Sequence, residues 1–231
     1  MSVGKEAVKL TGAAEFVRRI ATPDPAVLAQ LADPDEITTR ILRGALAQFE
    51  LVGVRRTTME DIARRSDVGR ATLYRRFPTK SMLVDAVVLA EVRRYLDGNA
   101  LAHAQGTTVE ERLVNGTMFG VQFLREHTLL TRLMAIEPET ILPSLTVEAG
   151  AILDLAAAQT VALMRTELYG ETPTTAAQER HLRTAGELFT RLTLSFILTP
   201  HTSIKFTSVN DVRAYVRDYL LPIITSSAQQ H

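Results

Sequence analysis

Apolar residues recur at helical spacing along most of this 231-residue chain, and no stretch alternates apolar with polar positions for long enough to make a convincing strand. Residues three and four apart share one face of a helix, whereas a strand repeats every second residue. The pattern therefore predicts an all-helical fold. Between Thr57 and Leu83 the helices are short and closely punctuated. Met59, Ile62 and Ala63 stand at i, i+3 and i+4, with Glu60, Asp61, Arg64 and Arg65 on the other side. Thr58 precedes them as an N-cap candidate, and Asp61 lies three residues on, where a capping box needs it. Ser66, Asp67 and Val68 interrupt the repeat and predict a turn, with Val68 the apolar residue available to fill the angle between two helices. A second helix opens near Gly69, buries Leu73 and Phe77 at i and i+4, and stops at Pro78, which has no amide proton. Arg70, Ala71, Thr72, Tyr74 and Arg75 are left on its outer face.

Beyond Leu96 the helices lengthen. Clusters of Pro and Gly at 97–106, 137–143, 170–173 and 199–200 predict their boundaries, leaving helices over 109–126, 149–169, 176–198 and 209–224. The last two carry long apolar faces, among them Leu182, Leu188, Leu192 and Phe196, then Val212, Tyr215, Val216, Tyr219 and Leu220. Such faces need cover, and spacing alone leaves open whether it comes from the same chain or from a second copy.

Charge changes the picture more than composition does. The formal net charge is zero, yet residues 37–96 carry 12 basic and 6 acidic side chains, while 1–36 and 97–231 are both net acidic. DNA affinity comes largely from counterion release as Lys and Arg neutralise phosphates, so a local excess matters where a chain-wide average does not. The excess coincides with the helix pair. An outer face offering Arg, Thr, Tyr and Arg around a small Ala suits a major groove: Arg bonds guanine bidentately, Thr meets a base edge or a thymine methyl, and Tyr reaches a phosphate. Solvated charge on an ordinary surface helix is the bland alternative, and the charge segregation weighs against it.

With 46% hydrophobic residues the chain can bury a sizeable core as one or two domains. It has no cysteine, which excludes disulfides and thiolate metal sites. The histidines at 103, 127, 181, 201 and 231 show no metal-ligand spacing, and no cofactor is expected. The N-terminal residues lack a signal-peptide core, and no apolar run approaches the roughly 18 residues needed to cross a bilayer, so a soluble cytoplasmic protein is expected. Phosphate-loop, dinucleotide, nucleophile-elbow and zincin motifs are all missing. Two rival classes stay open: an enzyme whose groups meet only on folding, and a helical small-molecule binder without operator recognition.

The run from Ile37 to Leu83 resembles the DNA-binding domain of TetR-family transcriptional regulators, through a first helix ending at Phe49 and Gly53, then TTMEDIA, then VGRATLYRRFPTKSML. It departs from that pattern at Asp67, where a glycine is usual, and at Gly69, where Ser or Thr often opens the recognition helix. The resemblance implies an N-terminal extension over 1–34, a three-helix helix-turn-helix domain over 35–83, and a helical effector-binding and dimerisation domain over 84–231. It implies that Arg55, Arg56, Thr58 and Lys80 face phosphates, that Arg70, Ala71 and Thr72 meet base edges, and that Tyr74 and Arg75 straddle the two. It further implies a homodimer on a palindromic double-stranded operator, with recognition helices about 34 Å apart. A small-molecule effector would sit among the central helices, with Met118, Phe119, Phe123, Met134, Leu153, Met164, Phe189 and Phe196 as pocket candidates. Side chains of this kind serve equally as ordinary core. Repression is the expected outcome. Lys5, Lys9, Arg18 and Arg19 suggest an arm for the minor groove, which the net −2 charge of residues 1–36 argues against.

Overall fold

The computed structural model describes residues 19–20, 22–146, 150–199 and 201–225. Among these there is no strand, and the fold is all-helical. In chain order the helices are α1 (Pro25–Ala32), α2 (Glu36–Val52), α3 (Met59–Ser66), α4 (Arg70–Arg76), α5 (Lys80–Ala104), α6 (Val109–Glu126), α7 (Thr128–Ile136) and α8 (Pro138–Leu145). Then come α9 (Gly150–Tyr169), α10 (Ala176–Leu198), α11 (Val209–Tyr215), a π turn (Val216–Leu220) and α12 (Leu221–Thr225). No helix among the described residues is long and apolar enough to cross a membrane. The chain divides into two compact units, one comprising the residues up to 86 with 132–152, the other 87–131 with 153–231.

In the first unit α2 packs on α3 and α3 on α4. Ile41, Ala45 and Phe49 from α2 close over Ile62 and Ala63 from α3, with Leu73, Phe77 and Leu83 completing a buried core. Each large apolar side chain so buried contributes about 1.5–3 kcal/mol to the unit's stability. The helices start where their caps dictate. Asp35 accepts the Thr38 N–H at 2.8 Å, and Thr38 hydrogen bonds together with the Arg76 guanidinium hold the Asp35 carboxyl below its usual range. The capping box expected at Thr58 and Asp61 is present. Of the suggested arm, Lys5, Lys9 and Arg18 lie outside the described residues, while Arg19 donates to Asp85 at 2.6 Å.

In the second unit α6 packs against α11 and the π turn, and α10 against α12. Val114, Phe206, Val212, Tyr215, Val216 and Leu220 form one buried cluster, and Val161, Met164, Leu182, Ala185 and Ile224 form another. Rings carry much of the first: Phe206 meets Phe196 and Tyr215 edge-on, with centroids 5.4 and 5.2 Å apart.

Three expected boundaries shift. The stretch 97–106 is not a break, because α5 continues to Ala104 with Gly98 inside it. Packing explains the glycine, since a Cβ there would stand 2.3 Å from Cζ of Phe119. The stretch 137–143 is mostly helix, because Pro138 takes the first position of α8, where its missing amide proton costs nothing. The final helix, expected as one piece, is interrupted by the π turn at Val216–Leu220.

Candidate nucleic-acid interface

The recognition geometry begins with the turn. Asp67 ends α3 in the left-handed conformation, φ 52° and ψ 49°, a backbone that Asp tolerates better than most residues other than Gly and Asn. Arg40 on α2 compensates for the missing glycine. Its Nε and Nη2 donate to the Ser66 carbonyl at 3.2 and 3.0 Å, and Nη2 also donates to the Asp67 carbonyl. A guanidinium there satisfies acceptors that α3 leaves open and offsets the negative end of its dipole. Gly69 then opens α4 without a side-chain cap, as expected.

Leu73 and Phe77 are both fully buried, which fixes the rotation of α4. Arg70, Ala71, Tyr74 and Arg75 are consequently exposed, and Thr72 is half-buried beside them. Arg70 lies 3.9 Å from the Glu60 carboxylate, a loose exposed pair that leaves the guanidinium available. Arg76 turns inward instead: it bonds the Asp35 carboxylate and the Thr38 hydroxyl, tying the end of α4 to the start of α2. Adjacent arginines thus divide between solvent and scaffold.

The other four predicted contacts lie around the loop between α2 and α3. Gly53 has φ 88°, a conformation that disfavours any side chain. The Thr57 hydroxyl donates to the Gly53 carbonyl at 2.7 Å, and Arg56 Nε donates to the Val52 carbonyl at 3.0 Å. The Arg55 N–H donates to both oxygens of Glu137, at 3.1 and 3.3 Å, and its guanidinium donates to Glu139 at 2.5 Å. Lys80 donates to the Arg55 carbonyl at 3.2 Å. Burial lowers the Lys80 pKa from its ordinary value, and the neighbouring Glu137 charge partly opposes this. The Thr58 hydroxyl is occupied by its cap, donating to Asp61 at 2.6 Å. Arg55 and Lys80 are therefore joined, while Thr58 serves the helix start.

Sequence reasoning missed Arg40, Arg76, Glu137 and Glu139. No local signal could have found them, because their partners lie from 26 to 84 residues away along the chain.

The pocket candidates divide. Met118, Phe189 and Phe196 pack on the Val114–Tyr215 cluster, and Met164 belongs to the neighbouring cluster, which Phe189 also touches. Phe119 and Phe123 meet each other and Tyr95 in tilted or edge-on contacts at 5.2–6.0 Å, beneath the Arg94 guanidinium, 4.5 Å above the Phe123 ring. Leu153 is half-buried in the same unit, whereas Met134 belongs to the first unit. No group of residues among those described could hold a metal ion.

Three helices closed over Phe49, Leu73 and Phe77, the last with arginines on its outer face, followed by further helices, define a helix-turn-helix fold. Residues 41–87, which hold the helix-turn-helix module, match the family described as bacterial regulatory proteins, tetR family. The chain's fold is shared with the TetR family repressor AlkX from Dietzia sp. strain DQ12-45-1b, implicated in n-alkane biodegradation. That likeness has a TM-score of 0.59 and 17% identity, over 84% of this chain and 97% of that one. The fatty acid degradation regulator FadR from Bacillus halodurans aligns with a TM-score of 0.52 and 15% identity, over 83% and 96%. No curated protein sequence matches the chain.

Proposed function

We propose that the protein is a cytoplasmic, homodimeric repressor that binds a palindromic operator through α4 and releases it on binding a small apolar ligand. The observation that carries this reading is the exposed row Arg70, Ala71, Tyr74 and Arg75 standing on the fully buried Leu73 and Phe77. Burial holds the helix rigidly while its polar face stays free, the condition for reading base edges in a major groove. Arg70, Ala71 and Thr72 meet bases, Tyr74 and Arg75 bridge bases and backbone, and Arg55, Arg56, Thr58 and Lys80 face phosphates.

Dimerisation supplies the second recognition helix. Leu188 and Leu192, four apart on α10, and Tyr219 on the π turn are exposed apolar side chains that suit a second copy. The apolar ligand is taken up in the second unit, where aromatic side chains are concentrated. A coupling of about 1–3 kcal/mol between ligand and operator lowers operator affinity roughly 5- to 150-fold.

The test is Arg70→Ala, measured by fluorescence anisotropy on an operator duplex and on a random-sequence duplex. Removing one bidentate pairing with a base lowers the specific-to-nonspecific ratio by about 1–3 kcal/mol. An unchanged ratio would remove α4 from the role of reader.

A further inference from the structure

The loop between α2 and α3 is gripped by a short segment from the α7–α8 junction, within the same compact unit. Glu137 is only 5% exposed, and the fit is tight enough that a Cβ on Gly53 would stand 2.2 Å from its Oε1. A buried carboxylate persists only with compensating partners. Here they are the Arg55 N–H and the nearby Lys80 ammonium, which itself bonds the Arg55 carbonyl. Both backbone polar groups of Arg55 are therefore held, and with them the position of two cations assigned to phosphates. Arg132 adds a further tie, donating to the Leu51 carbonyl at 2.6 Å.

Glu139, two residues on, does something different. It meets the Arg55 guanidinium on the surface, where the two side chains are 59% and 66% exposed. An exposed pair of this kind contributes about 0–1 kcal/mol, so a phosphate can displace the carboxylate. The displaced carboxylate then stands close to the phosphate that replaced it.

We propose that Glu137 and Glu139 set DNA affinity in opposite senses: Glu137 is a positioning residue that keeps Arg55 and Lys80 in register with the phosphate backbone, and Glu139 is an internal rival of phosphate for the Arg55 guanidinium. The proposal rests on the DNA-binding reading and adds to it two acidic residues that never touch a base. It separates from a simple charge effect, because removing a negative charge near DNA would by itself tighten binding at either position.

The experiment measures full-length protein on a labelled random-sequence duplex across a salt series, with circular dichroism establishing wild-type helicity for each variant. Glu139→Gln tightens binding about two- to fivefold at low salt, the scale of one exposed ion pair. The gain fades as salt rises and is absent in an Arg55→Ala background. Glu137→Gln weakens binding by about tenfold and flattens the log–log salt slope by about 0.9 for each phosphate that the protein no longer neutralises. The proposal is overturned if both variants tighten binding, if Glu137→Gln weakens it with an unchanged slope, or if neither differs from wild type. Salt-dependent binding by the wild type with unaltered variants would defeat this proposal alone, whereas a wild type that binds no duplex would defeat the DNA-binding reading beneath it.

Discussion

The two compact units solve the same burial problem by different means. The first closes a small core with short helices whose starts and turns are marked by local chemistry, Asp35 on α2, the Thr58–Asp61 box on α3 and Asp67 in the turn. The second closes two clusters with longer helices, and ring packing and ion pairs between successive segments, such as Phe196–Phe206 and Arg165–Glu179, tie it together. The lesson is that the helix starts and turns which orient the presented helix are marked locally, whereas the packing of either unit depends on side chains that meet across the chain.

The sharpest way to break this comparison is at the centre of the first unit. Phe77→Ala removes a fully buried ring and costs about 3–5 kcal/mol. Urea unfolding followed by circular dichroism should show that loss, together with failure of operator binding. A variant as stable as wild type would mean that the small core does not hold α4.

That difference decides what was legible in the sequence. The cap at Thr58, the buried pair Leu73 and Phe77 and the outward row Arg70, Ala71, Tyr74 and Arg75 all follow from spacings of seven residues or fewer, and the structure has them where the spacing puts them. Asp67 in place of glycine looked like a weakness in the turn. Its remedy, Arg40, is invisible from the sequence because the contact spans 26 residues. In the body, Gly98 read as punctuation although it lies within a continuous helix, since the ring that requires it belongs to Phe119 on another element. The pocket candidates were chosen by residue type. Type alone could not tell which would converge, and Met134 falls in a different unit from the rest.

Gly98 offers the matching test in the second unit. Alanine there gains about 1 kcal/mol of helix propensity, but it drives a methyl group into the Phe119 ring, which Tyr95 and Phe123 flank. Overpacking of this kind costs about 1–3 kcal/mol, so Gly98→Ala should lower the unfolding midpoint. A raised midpoint would show that local propensity, not packing, governs the body.

The smallest effect concerns acid. Arg165 grips Glu179 through both carboxylate oxygens, at 2.9 and 2.8 Å. That hydrogen bonding, with the Thr174 hydroxyl adding to it, lowers the Glu179 pKa from 4.5 to about 2. A carboxyl depressed by folding stabilises fully above its unfolded value and loses that contribution as pH falls through the folded one. The link should therefore weaken between about 4.5 and about 2. Arg165→Met should flatten the stability profile across that window, and a variant with the wild-type slope would assign the acid sensitivity elsewhere.

The central claim is that α4 reads sequence as one half of a two-fold assembly. Its most direct test is selection of bound sequences from a random duplex pool by the purified protein at about 150 mM salt, where weak exposed charge contacts are screened. The account predicts an enriched palindrome whose half-sites lie about 10 base pairs apart, or a multiple of that, centre to centre. Enrichment of a single asymmetric site would contradict the dimer, and no enrichment above background would contradict sequence reading itself.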